Sequence, residues 1–132
     1  MKKKWSIPFL VSKFDGYKGL NEHFEYLVFN FGKYKDQKAK DVVYKDPEYV
    51  AWCYDNLDKF YLQPHLRLEF YCGIASKIEY YLSKNNAARV EVFKDMAKNY
   101  LTDKEQESVI NLVRTYNNGE FSDFVLYEES SE

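Results

Sequence analysis

The chain changes from strand-like to helical patterning at residues 46–57, whose sequence is DPEYVAWCYDNL. Asp46 can cap a helix, and Pro47 suits the first helical position because the N–H that proline lacks would be unpaired there anyway. Val50 and Cys53 then follow at the spacing of one helix face. These residues predict a helix that divides a strand-like first third of the chain from a helical remainder.

Further helices are predicted after this one. Pro64 opens a helix whose pattern ends at Asn85-Asn86. Residues 88–101 carry a helical pattern as well, although Val90–Phe93 could instead form a strand.

The last predicted helix has recognisable signals at both ends. Thr102, with Glu105 three residues later, forms a capping box, and the sequence Asn117-Asn118-Gly119 provides a stop. The stretch that follows is compatible with either a strand or irregular structure.

The first third of the chain is predicted to contain strands. Trp5–Val11 is short and apolar, and Pro8 restricts it to the edge of a sheet. Phe24–Phe31 is rich in aromatic and β-branched residues, and Lys38–Tyr44 is predicted as a second strand after a turn at Gly32–Gln37. The whole pattern predicts an α+β fold, in which a small N-terminal β-hairpin or sheet packs against about four helices.

Length and charge set the expected organisation. With 132 residues, the chain is expected to form a single domain over residues 1–132. It would contain a motif-bearing module at 29–57, a helical part at 62–116 and an acidic tail at 120–132. The net charge of −2 argues against a polycation that binds nucleic acid or membranes by charge alone. Residues 31–45, however, hold five lysines against two aspartates, a local net charge of +3.

The amino terminus does not predict secretion. Lys2–Lys4 are similar to the basic lead of a secretory signal, but Pro8 interrupts the apolar stretch behind them and Lys13 follows it. No stretch approaches the ~20 apolar residues that a membrane span requires. We therefore expect a cytoplasmic protein with no membrane partner.

No cofactor or metal site is expected. Four histidine and cysteine residues carry the atom types that bind zinc: His23, Cys53, His65 and Cys72. Their spacing contains no paired clip such as Cys-x-x-Cys, and both cysteines are expected to be reduced thiols on buried helix faces. No nucleophile motif or phosphate-binding glycine loop lies beside either histidine, so the chain is not expected to be an enzyme.

Two short motifs resemble a known family. The sequence FGKYKD at residues 31–36 is followed by DPEYVAW at residues 46–52. Over Phe29–Leu57 this arrangement resembles the small domain at the C-terminus of exodeoxyribonuclease X-like proteins, which is similar to the family of quorum-sensing-regulated virulence factors. The chain departs from that pattern at Asp36, where the family usually has glycine, so a different turn shape is expected there.

The resemblance implies an accessory module that attaches to nucleases and other DNA-processing enzymes and helps to hold nucleic acid. It does not imply catalysis, because nucleases of that kind use acidic metal ligands in a separate domain. Asp46 and Glu48 resemble half of such a metal site, but a role as a helix cap is the better explanation for an aspartate at position 46.

The lysines around Gly32 form the candidate site. On an extended segment Lys33 and Lys35 would share one face, and Tyr34 would take the other. The site would contact phosphates while the tyrosine stacks on a base. Its predicted nucleic-acid-binding residues are Lys33, Tyr34, Lys35, Lys38 and Lys40. Alternatively, the lysines protect a sheet edge from aggregation while the tyrosine packs on the core.

The expected function is that of a non-catalytic, nucleic-acid-associated accessory protein. The alternative is a small protein-binding adaptor or inhibitor, phage- or mobile-element-like, which the aromatic content of 19% and the helical second half favour. Trp52 is expected to anchor its helix against the hairpin, with stacking on a ligand as the alternative.

Overall fold

The computed structural model describes residues 10–12, 27–29, 32–57 and 60–126. Within these residues helices predominate, and the named strands are only three residues long. The predicted α+β class therefore applies only loosely. None of the described helices combines the length and the hydropathy that crossing a bilayer requires.

The chain divides into two compact units, Met1–Phe70 and Tyr71–Glu132, which we call the first and the second unit. In the first unit, strand β1 (Leu10–Ser12) pairs antiparallel with strand β2 (Leu27–Phe29). Phe29, at the end of β2, is fully buried. The small β element thus contributes an aromatic side chain to the core.

The predicted hairpin is wrong, because its second strand is a helix. Helix α1 spans Ala39–Lys45, where the sequence pattern predicted the strand Lys38–Tyr44. Ala39, Val42 and Val43 are its buried residues, and spacings of three and four positions match one face of a helix. A strand would have pointed the two valines to opposite faces. Burial of one helix face has therefore overridden the strand preference of β-branched residues.

A turn joins β2 to α1, as the sequence predicts for Gly32–Gln37. It begins with a 3₁₀ segment at Gly32–Tyr34. The Phe29 amide donates a hydrogen bond to the Gln37 carbonyl at 3.1 Å, and the Asp36 amide donates to the Phe29 carbonyl at 2.8 Å. The turn is thus fastened to the backbone of a buried residue.

Helix α2 spans Pro47–Asn56 and helix α3 spans Pro64–Ser83, so both begin at a proline, as predicted. Proline costs no hydrogen bond at that position. Asp46 caps α2, as expected, because its side chain accepts a hydrogen bond from the Tyr49 amide at 3.1 Å. Helix α3 contributes residues to both units.

The second unit contains helices α4 (Ala87–Tyr100) and α5 (Asp103–Thr115). The alternative strand at Val90–Phe93 is wrong, because these residues lie inside α4. The side chains of Val90 and Phe93, three positions apart on one helix face, are buried. The Asn86 side chain caps α4 by accepting a hydrogen bond from the Arg89 amide at 3.2 Å.

Both end signals of α5 are confirmed. The Thr102 hydroxyl accepts a hydrogen bond from the Glu105 amide at 3.1 Å, and the Glu105 carboxylate accepts one from the Thr102 amide at 2.9 Å. At the other end, Asn117 (φ 53), Asn118 (φ 62) and Gly119 (φ 83) adopt left-handed conformations that end the helix.

Several predicted features lie outside the described residues. They are most of the strands Trp5–Val11 and Phe24–Phe31, His23, and the end of the acidic tail at 127–132.

Replacing Thr102 with alanine should lower the free energy of unfolding by about 1 kcal/mol, because α5 loses its N-cap. Urea denaturation followed by circular dichroism measures this change. Thr115→Ala is the matched control, since that hydroxyl donates to the Asn111 and Leu112 carbonyls at the exposed end of the same helix and does not cap it. The control should change stability by less than about 0.5 kcal/mol, and an equal loss in both variants would contradict the capping role.

Candidate functional site

The Asp46 side chain connects the turn at Gly32 to the start of α2. Its Oδ1 accepts the capping hydrogen bond from the Tyr49 amide. Its Oδ2 accepts a hydrogen bond from the Tyr34 hydroxyl at 2.5 Å and lies 3.8 Å from Lys33 Nζ. One carboxylate therefore fixes both the turn and the helix. We call the group around it the aspartate cluster: Lys33, Tyr34, Asp46, Tyr49 and Trp52.

Aromatic rings lead from the core to the surface in this cluster. The Tyr49 ring centroid lies 5.8 Å from that of the buried Phe29 and 5.0 Å from that of Tyr34, which meets it edge to face. Trp52 stacks on Tyr49 with a centroid separation of 5.8 Å and an angle of 11° between the ring planes. Trp52 is 42% exposed, so the series of rings reaches the surface of the protein.

Gly32 lies against the Tyr49 side chain. Its φ of 72° is left-handed, and a β-carbon at this position would overlap the Tyr49 hydroxyl. Only glycine satisfies both conditions without strain. Asp36 has a similar φ of 70°, a region that aspartate tolerates better than most residues. The backbone at Asp36 is thus one that glycine would also adopt.

The hydroxyl and thiol groups near Asp46 are held in their protonated forms. The hydrogen bond to Asp46, followed by burial, raises the pKa of Tyr34 to about 12. Burial, followed by the charge interactions with Cys53 and Asp46, raises the pKa of Tyr49 to about 12. Burial also raises the pKa of the Cys53 thiol to about 12. Near neutral pH these groups can donate hydrogen bonds but are poor nucleophiles and bases.

The four predicted lysines lie on the turn and on the start of α1, and not on one strand face. Lys33 lies in the 3₁₀ segment and Lys40 in the first turn of α1. Lys35 and Lys38 each form a single β-bridge with β2. All four are exposed. The Lys33 side chain is 64% exposed although it pairs with Asp46, and within the described part of the chain the other three form no ion pair.

The two aromatic candidates, Tyr34 and Trp52, both contact neighbouring side chains in the structure. Tyr34 is half-buried, and the ammonium groups of Lys33 and Lys45 lie 5.1 and 5.3 Å from its ring centroid. Trp52 was expected to anchor α2 against the hairpin. The predicted second strand of that hairpin is helix α1, and the indole stacks on Tyr49. The spacing of three positions between Tyr49 and Trp52 is the sequence signal that could have indicated this pair.

Three of the four residues considered as metal ligands lie in described helices. Cys53 is buried in α2, and Cys72 is partly buried in α3, which also contains His65; neither cysteine forms a disulfide. Over the ranges that the structure describes, no group of three or more His, Cys, Asp or Glu side chains could hold a metal ion.

Gly32→Ala should destabilise the first unit by about 2 kcal/mol, because alanine is strained at a positive φ and its β-carbon meets the Tyr49 hydroxyl. Adding Tyr49→Phe should recover part of this loss, since the next atom, Tyr49 Cζ, is 3.5 Å from that β-carbon and in normal contact. Urea denaturation gives the free energy of unfolding of the wild type, both single variants and the double variant, which together form a double-mutant cycle. A loss from Gly32→Ala that is unchanged in the Tyr49→Phe background would contradict the steric explanation.

Asp46→Asn keeps a capping acceptor but removes the charge next to Tyr34. The pKa of Tyr34 should therefore fall from about 12 towards the ordinary value of 10.0, which NMR titration of labelled tyrosine rings can follow. Because the folded-state pKa lies above the unfolded one, the stabilisation is complete below pH 10 and is lost as the pH rises towards 12. The wild type should lose more stability over this interval than the variant. An unchanged Tyr34 pKa in the variant would show that Asp46 is not its cause.

Comparison with known proteins identifies a segment and not the whole chain. Residues 29–58 match the family model described as exodeoxyribonuclease X-like C-terminal. Exodeoxyribonuclease 10 of Escherichia coli strain K12, and the protein of the same name from Escherichia coli O6:H1 strain CFT073, are each 45% identical over 41 residues. This segment is 31% of the chain, and the chain spans 18% of the length of these relatives. No solved structure matches the chain. The segment that carries the entire aspartate cluster is thus similar to the exodeoxyribonuclease X-like C-terminal family, which confirms the resemblance that its two motifs suggested.

Proposed function

We propose that this chain is a non-catalytic accessory protein that binds the phosphate backbone of nucleic acid. The observation that carries the proposal is a group of exposed lysines within eight residues of one another, on the turn that the aspartate cluster fixes and on the start of α1. The proposed phosphate contacts are Lys33, Lys35, Lys38 and Lys40. The similarity of this segment to part of an exonuclease-related family supports an association with nucleic-acid processing.

The local charge favours a polyanionic ligand. The five lysines of residues 31–45 exceed the two aspartates there, within a chain whose net charge is −2. Three of the four proposed lysines have no carboxylate partner within the described residues, so their ammonium groups would not have to break an ion pair to reach phosphate. Binding would release counterions from the nucleic acid, which makes affinity depend on salt.

The ion pair of Lys33 does not prevent binding. Its Nζ lies 3.8 Å from Asp46, and the lysine side chain is 64% exposed. An exposed pair of this kind typically contributes less than about 1 kcal/mol. A phosphate can therefore replace the carboxylate as the partner of Lys33 at little cost, while Asp46 keeps its hydrogen bonds to Tyr34 and Tyr49.

The turn presents its lysines on a prearranged backbone. Two backbone hydrogen bonds fasten it to Phe29, and the hydrogen bond from Tyr34 to Asp46 fastens it to the start of α2. Ordering a flexible loop on binding would reduce affinity, so a turn that is already ordered favours recognition.

The chemistry of the cluster supports binding and not bond cleavage. The raised pKa values of Tyr34, Tyr49 and Cys53 keep these groups protonated at neutral pH. A protonated hydroxyl or thiol is a poor nucleophile. In this proposal a partner protein or domain supplies any nuclease chemistry, and this chain contributes affinity for the substrate.

Replacing Lys33 and Lys35 together with alanine should weaken oligonucleotide binding and flatten its dependence on salt. If each lysine contacts a phosphate, the slope of log K against log salt should decrease by about 2. Fluorescence anisotropy of labelled single-stranded and duplex oligonucleotides at several salt concentrations measures both quantities.

A Lys84→Ala/Lys104→Ala variant provides the matched control. Both residues are exposed lysines of the second unit, so the net charge changes by the same amount. The control should leave the slope close to that of the wild type. Equal effects of the two double variants would show that only net charge matters, and negligible binding by the wild type would refute the proposed function.

A further inference from the structure

We propose that Trp52, supported by Tyr49, is a stacking platform for one unpaired base, so that the ligand of this protein is single-stranded nucleic acid. This inference rests on the proposed function and specifies the class of nucleic acid. It assigns the aromatic contact to Trp52, whereas the sequence pattern pointed to Tyr34.

The geometry of the ring pair suits a base. The planes of Tyr49 and Trp52 are 11° from parallel, and the indole is 42% exposed. A base would stack parallel to the part of the indole that is exposed. Stacking of a base on an aromatic side chain contributes about 1–3 kcal/mol and accepts any base, because each base has a flat π face.

Neighbouring residues hold Tyr49, which supports Trp52, in place. The Tyr49 hydroxyl lies close to Gly32. The Tyr49 ring packs against Phe29 and Tyr34 at centroid distances of 5.8 and 5.0 Å. Trp52 itself lies on a regular helix, and its carbonyl accepts a hydrogen bond from Asn56 Nδ2 at 2.9 Å. A rigid ring loses little entropy when a ligand stacks on it.

Charged groups of both signs lie beside the platform. An open cleft of about 510 Å³ is lined by Lys33, Asp46, Glu48, Tyr49 and Trp52. The Lys33 ammonium group lies 5.6 Å from the Tyr49 ring centroid and 3.8 Å from Asp46 Oδ2. Of the residues that line this cleft, Lys33 is the one whose charge attracts phosphate, so the backbone of a bound strand should pass beside Lys33 while its base stacks on the indole.

A duplex cannot make this contact without distortion. In a duplex each base face is covered by its neighbours, and exposing one requires unpairing and unstacking at a cost of a few kcal/mol. Tyr34 is less suited to stacking, because its hydroxyl is bound to Asp46 and two ammonium groups lie near its ring. The preference for single strands therefore depends on Trp52.

Trp52 fluorescence tests the inference directly. The chain has two tryptophans, so in a Trp5→Phe background the emission comes from Trp52 alone. The probes are an oligodeoxythymidine of about ten residues and a duplex of equal length. We expect the single strand to quench the emission and the duplex to leave it nearly unchanged. Lack of quenching by a single strand that does bind would overturn the platform.

Substitution of Trp52 gives an independent test. Trp52→Ala should weaken single-strand binding by roughly 5- to 100-fold and leave duplex binding almost unchanged, whereas Trp52→Phe should retain most of the affinity. Tyr80→Ala is the matched control. Tyr80 is also an exposed aromatic residue, at 53%, with the Lys84 ammonium group 5.6 Å from its ring, but it lies in the second unit. Its replacement should not change binding.

The outcomes separate this inference from the proposed function. If Trp52→Ala binds single strands as tightly as the wild type while Lys33→Ala/Lys35→Ala flattens the salt slope, the platform is refuted and phosphate binding stands. If the wild type binds neither single-stranded nor duplex DNA, both proposals are refuted. The Trp52→Phe variant and the fluorescence experiment keep the test decisive should Trp52→Ala fail to fold.

Discussion

The Asp46 carboxylate holds a hydroxyl and an amide that come from different elements of the first unit. Its Oδ2 accepts from Tyr34 in the turn, and its Oδ1 accepts from Tyr49 at the start of α2. Hydrogen bonds to an ionised acceptor are stronger than neutral ones, and with the Asp46 side chain only 23% exposed they face limited competition from water. The position of the turn lysines relative to the aromatic rings follows from this carboxylate.

The two proposals assign two kinds of recognition to one support. Exposed ammonium groups on the turn can contact phosphates regardless of sequence, and the indole of Trp52 offers a flat surface that is equally indifferent to base identity. Neither contact requires a reactive group, and Tyr34 and Tyr49 keep their protons well above neutral pH. Under both proposals the cluster holds a strand while another protein or domain performs the chemistry.

Much of the helical part was predictable because its boundaries are set by local chemistry. Pro64, the Thr102–Glu105 capping box and the asparagines before Gly119 each act within a few residues, so the sequence alone locates them. Helix α1 was missed because valines favour strands in general, whereas here two of them are buried together with Ala39 on one helix face. The lysines could be named from sequence. Their arrangement could not be predicted, because it depends on how the turn folds back onto α2. The pairing of Trp52 with Tyr49 was missed, although their spacing of three positions on one helix indicates it.

The hydrogen bond between Tyr34 and Asp46 joins residues only twelve positions apart. Closing so short a segment costs little chain entropy, and contacts of low sequence separation are the ones that proteins form fastest. Both partners of this hydrogen bond lie inside the segment that is similar to the family model, so the connection can travel with that segment from one chain to another.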